Sequence, residues 1–256
     1  MIELDQVTVG YNGQAVLRNI SLSFPAGQVT VLLGPNGCGK STLLKALFGL
    51  SQIQSGQIRI MGQDLASFHP EALAREVAYL PQTRRVPDMT AERLVLHGRF
   101  PYLSYPRRYS RLDRQIAAQA MEQVGILDIR DQELNTLSGG TRQKVYIAMA
   151  LAQDTGAVLL DEPNTHLDIA HQLQLMELCR RLADQGKAVV LVLHDLDLAF
   201  RYADRIALFH QGQLLIAGDR ETVCSSTHLT HAFGVEVAPY ETPHGIRYTC
   251  RLPGKE

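Results

Sequence analysis

The run Gly34-Pro35-Asn36-Gly37-Cys38-Gly39-Lys40-Ser41 constrains this chain more than any other stretch. It follows Val29-Thr30-Val31-Leu32-Leu33, a short apolar β-branched segment that reads as a buried strand, and it opens a helical segment over 40–48. Glycines lack Cβ, so the loop can curl tightly and point consecutive backbone N–H groups at an anion. The positive end of the following helix dipole adds to that field. A strand, a glycine loop of this wording and a helix together make a phosphate cradle. Lys40 can reach the β- and γ-phosphates, Ser41 can offer its hydroxyl to Mg²⁺, and Thr42 supplies a further phosphate contact.

The rest of the chain organises around that unit. Strands are expected over 2–9, 17–24, 57–60 and 77–80, with Tyr11-Asn12-Gly13 as a turn. After Gln82 the pattern turns helical, with helices expected over 90–97, 111–124 and 139–151. Strand and helix then alternate over 157–161, 169–185, 188–193 and 196–202, the rhythm of a parallel sheet with crossover helices. Hairpin strands over 205–210 and 213–217 follow, then a small β-element within 235–252. Between the first two helices of the middle stretch, residues 99–109 form an aromatic, basic, proline-broken loop. It reads either as a surface loop packing its own tyrosines or as a docking surface.

Composition excludes several classes. With 256 residues, 45% of them hydrophobic, one large domain, or one core plus a small inserted lobe, can be built. A net charge of -1 gives no global basic field for nucleic acid. No apolar run approaches the roughly 18–20 residues that cross a bilayer, and the acidic start Met1-Ile2-Glu3-Leu4-Asp5 has no signal-peptide pattern, so any membrane crossing falls to other chains. Cys38, Cys179, Cys224 and Cys250 lie far apart, which fits reduced thiols, and the nine histidines show no metal-ligand spacing.

Two further segments carry chemistry. Val158-Leu159-Leu160-Asp161-Glu162 is an apolar strand ending in two carboxylates. As a neighbour of the cradle strand in a parallel sheet, it would bring Asp161 to the Mg²⁺ shell and leave Glu162 to orient and polarise water; the plainer reading is a solvated acidic turn before Pro163. Leu137-Ser138-Gly139-Gly140-Thr141-Arg142-Gln143 puts a plausible N-cap serine and two glycines at a helix start, a second anion site. One nucleotide does not need two cradles in one chain, so the second serves a nucleotide held by another copy, unless Ser-Gly-Gly is merely a common loop.

Taken together these segments resemble the ATP-binding cassette (ABC) ATPases: Gly34–Thr42 as Walker A, Leu137–Gln143 as signature, and Asp161-Glu162 as Walker B with the catalytic glutamate. Thr165-His166-Leu167-Asp168 is similar to the D-loop, Gln82 after Tyr79-Leu80-Pro81 to the Q-loop, and His194 in Leu193-His194-Asp195 to the switch histidine. The resemblance implies an α/β P-loop NTPase (RecA-like) core over 1–82 and 154–256, with an N-terminal antiparallel β-subdomain. It also implies an inserted α-helical subdomain over 83–153 carrying the signature.

The resemblance assigns roles as well. Gly34, Pro35, Asn36, Gly37, Cys38, Gly39, Lys40, Ser41 and Thr42 hold ATP, Tyr11 stacks on adenine and Val16 packs beside it. Ser41, Gln82 and Asp161 serve Mg²⁺; Glu162, His194, Gln82 and Lys40 are catalytic; Ser138, Gly139, Gly140 and Asp168 act on the partner subunit's ATP. Thr141 departs from the glutamine usual in the signature. Gly98-Arg99-Phe100-Pro101-Tyr102 and the wording around 161–172 and 192–196 are most like the ATPases of bacterial ferric-siderophore, haem and cobalamin importers. That implies a homodimer at the cytoplasmic face of the inner membrane, with two transmembrane permease subunits, an extracytoplasmic substrate-binding protein and no nucleic acid. A soluble cassette acting on a protein scaffold, as in iron–sulfur cluster assembly, is the alternative. Cys38, inside the loop, is expected to be alkylated with inhibition, and ATP to protect it.

Overall fold

The computed structural model describes residues 1–82, 86–242, 245–252 and 254, with the backbone alone at 245 and 246. The chain begins with strands β1 (Ile2–Tyr11), β2 (Gln14–Phe24) and β3 (Val29–Leu33), helix α1 (Lys40–Leu47), strands β4 (Gln52–Ile60) and β5 (Gln63–Asp64), helix α2 (Pro70–Glu76) and strand β6 (Val77–Leu80). Helices α3 (Ala91–His97), α4 (Arg111–Gln123) and α5 (Gly139–Ala152) come next. They are followed by β7 (Ala157–Asp161), α6 (Ile169–Asp184), β8 (Ala188–Val192), α7 (Leu196–Tyr202), β9 (Arg205–His210), β10 (Gln213–Gly218), α8 (Arg220–Cys224), α9 (His228–Phe233), β11 (Glu236–Thr242) and β12 (Gly245–Arg251).

Turn chemistry sets the antiparallel parts. Asn12-Gly13, Met61-Gly62 and Gln211-Gly212 all take positive φ at both positions, the two-residue turn whose twist matches paired strands. They close β1 on β2, β4 on β5 and β9 on β10. The first sheet has the order β2-β1-β4-β5 and the second β10-β9-β3-β8-β7-β6, parallel except for β10.

Alternation along the central strands builds two cores. Val29, Val31, Leu33, Val158, Leu160, Val189 and Leu191 face one side, where they pack with α5, α6 and α7 residues such as Val145, Leu178 and Phe200. Leu32, Leu159, Val190 and Val192 face the other, where α1 and the first sheet supply Leu43, Leu44, Ile2, Ile20 and Phe24. Strands buried on both faces read as continuous apolar runs, which is why they were legible.

The sequence expectation that the cradle strand and the acidic strand are neighbours is corrected: β8 lies between β3 and β7. Register keeps the three ends level, with Leu32 opposite Val192 and Val192 opposite Asp161. Strand β4 reaches back to Gln52, beyond the expected start at 57, because pairing with β1 rather than side-chain pattern holds its polar, exposed half. Helices α2, α8 and α9 were not foreseen; each has at most two buried residues and so shows no apolar stripe, whereas α3 and α7, no longer than α2, bury four and three.

Between β6 and β7 the capping signals agree with the helices they open. Thr90 accepts from the Arg93 N–H, and Ser110 with Asp113 forms a reciprocal capping box. The 99–109 loop packs part of its own side chains on the chain. Arg99 is buried, donates to Asp113 at 3.1 Å and to the Ala152 carbonyl at 3.0 Å, and covers the Tyr102 ring at 3.9 Å. Tyr109 packs on the first core, whereas Phe100 and Tyr105 stay exposed, Tyr105 almost fully at 96%.

Candidate functional site

The cradle forms as the strand-loop-helix wording requires. At Gly34, φ is 146° and an added Cβ would lie 2.2 Å from the Phe209 carbonyl oxygen, so only glycine lets the chain leave β3 here. Gly39 has φ 109°, with an added Cβ 2.5 Å from the Leu17 side chain. The buried Lys40 amino group folds back and donates to the Gly34 and Pro35 carbonyls at 2.6 and 2.9 Å. These bonds hold the ammonium over the loop, from which it can turn to an anion.

A cavity of about 410 Å³ opens at the loop, lined by Val16, Asn36, Gly37, Gly39, Lys40, Ser41, Thr42, Gln82, Glu162 and His194. Four residues of the expected ATP-holding set, Gly34, Pro35, Cys38 and Tyr11, are not in that lining. Gly34 and Pro35 meet the site through the carbonyls that hold Lys40. The Cys38 thiol is buried, 3.8 Å from Lys40 Nζ, and burial pushes its pKa up against the pull of that ammonium. Tyr11 is half-exposed at the end of β1, with its hydroxyl 2.9 Å from Ser51 Oγ, and is not among the lining residues.

The acidic strand end is divided between two environments. Asp161 is buried, accepts from Ser41 Oγ at 3.0 Å and has the Tyr79 hydroxyl at 3.5 Å. Burial, aided by the neighbouring Glu162 charge, raises its pKa despite the Ser41 bond. Ser41 and Asp161 are hard oxygen donors at hydrogen-bonding distance, the chemistry Mg²⁺ takes, and the Gln82 amide oxygen is of the same kind. Tyr79 went unassigned by sequence reasoning; strand alternation alone does not say that its hydroxyl reaches a carboxylate.

Glu162 takes φ 50°, a sharp left-handed turn after β7. Its Oε2 accepts from Gln82 Nε2 at 2.6 Å and its Oε1 lies 2.6 Å from His194 Nε2. Asp195 caps α7 by accepting from the Leu198 N–H, which fixes the chain just after His194. The carboxylate is thus clamped at both oxygens at the mouth of the cavity, well placed to orient a water or a substrate hydroxyl.

Ser138, Gly139 and Gly140 are not among the lining residues of that cavity. Ser138 caps α5 by accepting from the Thr141 N–H. The glycines lie against the 164–168 turn, where a Cβ on Gly140 would sit 3.1 Å from the His166 carbonyl oxygen. At the end of that turn Asp168 caps α6 and lies 2.8 Å from His171 Nδ1. A further connection was not foreseen: buried Gln143 donates to the Pro163 carbonyl at 2.7 Å, tying α5 to the turn that carries Glu162.

With this geometry in view, similarity to known proteins decides the family. The ABC transporter family model matches residues 17–165, from within β2 to the turn after β7. The chain belongs to the ABC transporter family. As an ATP-binding cassette of that family it is an ATPase. The achromobactin transport ATP-binding protein CbrD of Dickeya dadantii (strain 3937) is 44% identical over 98% of this cassette and 94% of its own length. The iron(3+)-hydroxamate import ATP-binding protein FhuC of Bacillus subtilis (strain 168) is 35% identical over 97% and 93%. Among solved structures, an inward-facing transporter described as of metal-chelate type superposes with a TM-score of 0.84 at 25% identity, covering 98% of this cassette and 96% of that chain. A dimeric bacterial ABC transporter cassette gives 0.76 at 27% identity, covering 86% and 99%. Among the described residues no helix is long and apolar enough to cross a membrane.

Proposed function

We propose that this cassette powers import of an iron chelate, a siderophore, ferric citrate or haem, or of cobalamin, as one of two copies that close head to tail on MgATP beneath two permease subunits. The cargo reading is supported by relatives named for achromobactin, iron(3+)-hydroxamate and ferric enterobactin transport and for hemin import. Those names do not favour a scaffold-acting cassette. An extracytoplasmic binding protein and a peripheral position at the cytoplasmic face of the inner membrane belong to the same reading. Residues 1–82 and 154–256 are then the nucleotide-binding core, and 83–153 the inserted helical part, of which 83–85 fall outside the described residues.

One observation carries the two-copy mechanism. The cavity at Lys40 gathers Ser41, Gln82, Glu162 and His194 from four separate segments, yet its lining lacks the Ser138–Gly140 anion site of the same chain. A second copy can supply that cap. On binding ATP, Lys40 exchanges the Gly34 and Pro35 carbonyls for phosphate oxygens, and Gly37, Gly39 and Thr42 offer backbone and hydroxyl donors. Ser41, Asp161 and Gln82 would hold Mg²⁺, which supplies charge neutralisation on the phosphates. Ser138 and Gly140 of the other copy cover the γ-phosphate, and Asp168 acts across the same interface. Val16 packs on the base, with Tyr11 swinging from Ser51 to stack on it. Glu162 orients the attacking water once nucleotide binding loosens its bonds to Gln82 and His194.

Ser138→Arg tests the arrangement. ATP binding to the single chain stays normal while hydrolysis is lost; hydrolysis at full rate overturns the reading. Co-purification with two polytopic membrane proteins, and ATP-dependent uptake of a labelled ferric siderophore by vesicles holding that complex, test the import claim. Uptake of a different solute class alone would reject the cargo.

A further inference from the structure

The geometry points to Thr141 as a positioning residue that turns the Ser138 hydroxyl into an obligate donor, a role resting on the proposed cross-copy contact between Ser138 and phosphate. A serine hydroxyl has one O–H to give and two lone pairs to receive. In this chain Ser138 Oγ accepts the Thr141 backbone N–H at 3.2 Å, the ordinary N-cap bond. The Thr141 hydroxyl lies 2.9 Å from the same oxygen. When Thr141 donates along that second contact, both lone pairs of Ser138 are filled, and its own hydrogen has nowhere to go but outward.

A phosphate oxygen is an acceptor only, so it selects this direction of the hydroxyl pair over the reverse. The chain Thr141 O–H to Ser138 O–H to phosphate oxygen then polarises in one sense, and each bond strengthens the next. Thr141 also suits the task sterically. It occupies the third helical position after the cap, where a glutamine is long enough to reach back to the cap's own backbone N–H. Threonine is too short for that bond and meets the serine hydroxyl instead. Its β-branch restricts χ1, so the donor is held in place at little further entropic cost. Ser138 is exposed and Thr141 half-buried, as a donor facing a second chain and its support should be.

The test uses closure of the cassette on ATP in a Glu162→Gln background, read as dimer fraction against ATP concentration. Thr141→Val, which keeps shape and removes the hydroxyl, is expected to raise the half-closure concentration about three- to tenfold, the loss of roughly one hydrogen bond. Thr141→Ser is expected to restore it to within about twofold. ATP binding to the separate chain is expected to be unchanged in both, since Thr141 is not part of the Lys40 cavity. In the otherwise unaltered enzyme Thr141→Val should raise KM for ATP more than it lowers kcat. Adding Thr141→Val to Ser138→Ala should cost nothing more. Unchanged closure for Thr141→Val while Ser138→Ala is impaired would overturn the inference alone. Unchanged closure for Ser138→Ala would overturn the cross-copy reading beneath it. Unrescued loss in Thr141→Ser would assign the effect to helix packing and also overturn it.

Discussion

Glu162 Oε1 lies 2.6 Å from His194 Nε2, while the other oxygen of the same carboxylate takes the Gln82 amide at the same distance. The residue best placed to orient water is therefore held by two side chains that themselves line the phosphate cavity. Nucleotide can compete for both holders, which links occupancy of the cradle to release of the carboxylate.

Glu162→Gln keeps size and the contact to Gln82 but cannot take a proton from water. Turnover is expected to fall by about 10²–10⁴-fold, the usual contribution of a general base, while ATP binding stays intact. Steady-state phosphate release and nucleotide titration check this; near-normal turnover would remove Glu162 from the role.

His194→Ala removes a side chain that lines the phosphate cavity, and with it the contact that His194 would make to nucleotide on leaving Glu162, without touching Lys40 or the loop. Hydrolysis is expected to drop at least tenfold with ATP affinity changed less than threefold, of the order that losing one charge-assisted contact gives. Single-turnover measurements separate this from a binding defect, which would show as a parallel loss in affinity.

Alkylation of the Cys38 thiol is expected to inhibit, and the structure adds that the reaction should be slow. The group is buried, and its pKa is raised by that burial although Lys40 opposes the shift. Maleimide or iodoacetamide should therefore react slowly at pH 7, and the rate should still be climbing at pH 9, where an exposed thiol of pKa about 8.5 is levelling off. Fast modification at neutral pH would contradict the buried position. Where modification does occur, ATP should slow it by holding the loop closed.

Arg99 and Asp113 form a buried ion pair between the 99–109 loop and α4. Burial alone would raise the Asp113 pKa, but the Ser110 bonds and Arg99 outweigh it and hold the carboxyl below the usual range. The folded chain thus binds this proton less tightly than the unfolded one. The pair's stabilisation is present above the ordinary carboxylate pKa and is lost as pH falls through the lower, folded value. Arg99→Met should destabilise by about 3 kcal/mol in urea unfolding at pH 7, because it leaves the carboxylate buried and unpaired. The difference should shrink toward pH 3. A pH-independent difference would assign the loss to packing of Arg99 on Tyr102.

Much of the fold was legible because central strands such as β3, β7 and β8 are buried on both faces and so are apolar throughout. Helices α3, α4, α5 and α6 start within a residue of expectation, although of their caps Thr90, Ser110, Ser138 and Asp168 only Ser138 was read as one. What was hidden depends on partners distant in sequence. The interposed β8 is a matter of strand order, which no local pattern encodes. The polar half of β4 is a strand because β1 pairs with it. The motif wording named Gln82, Glu162 and His194, but their mutual contact requires three loop ends to meet across the sheet edge. The Gln143 bond to Pro163 and the inward turn of Cys38 are likewise consequences of packing.

The most direct test compares sedimentation equilibrium of Glu162→Gln with that of Glu162→Gln/Ser138→Arg, each with MgATP and quantified bound nucleotide. The account predicts two chains and two ATP molecules per particle for the first, and single chains that still bind one ATP for the second. A double variant that pairs as readily as the first, or an unaltered enzyme that hydrolyses at full rate where it sediments only as single chains, would contradict it.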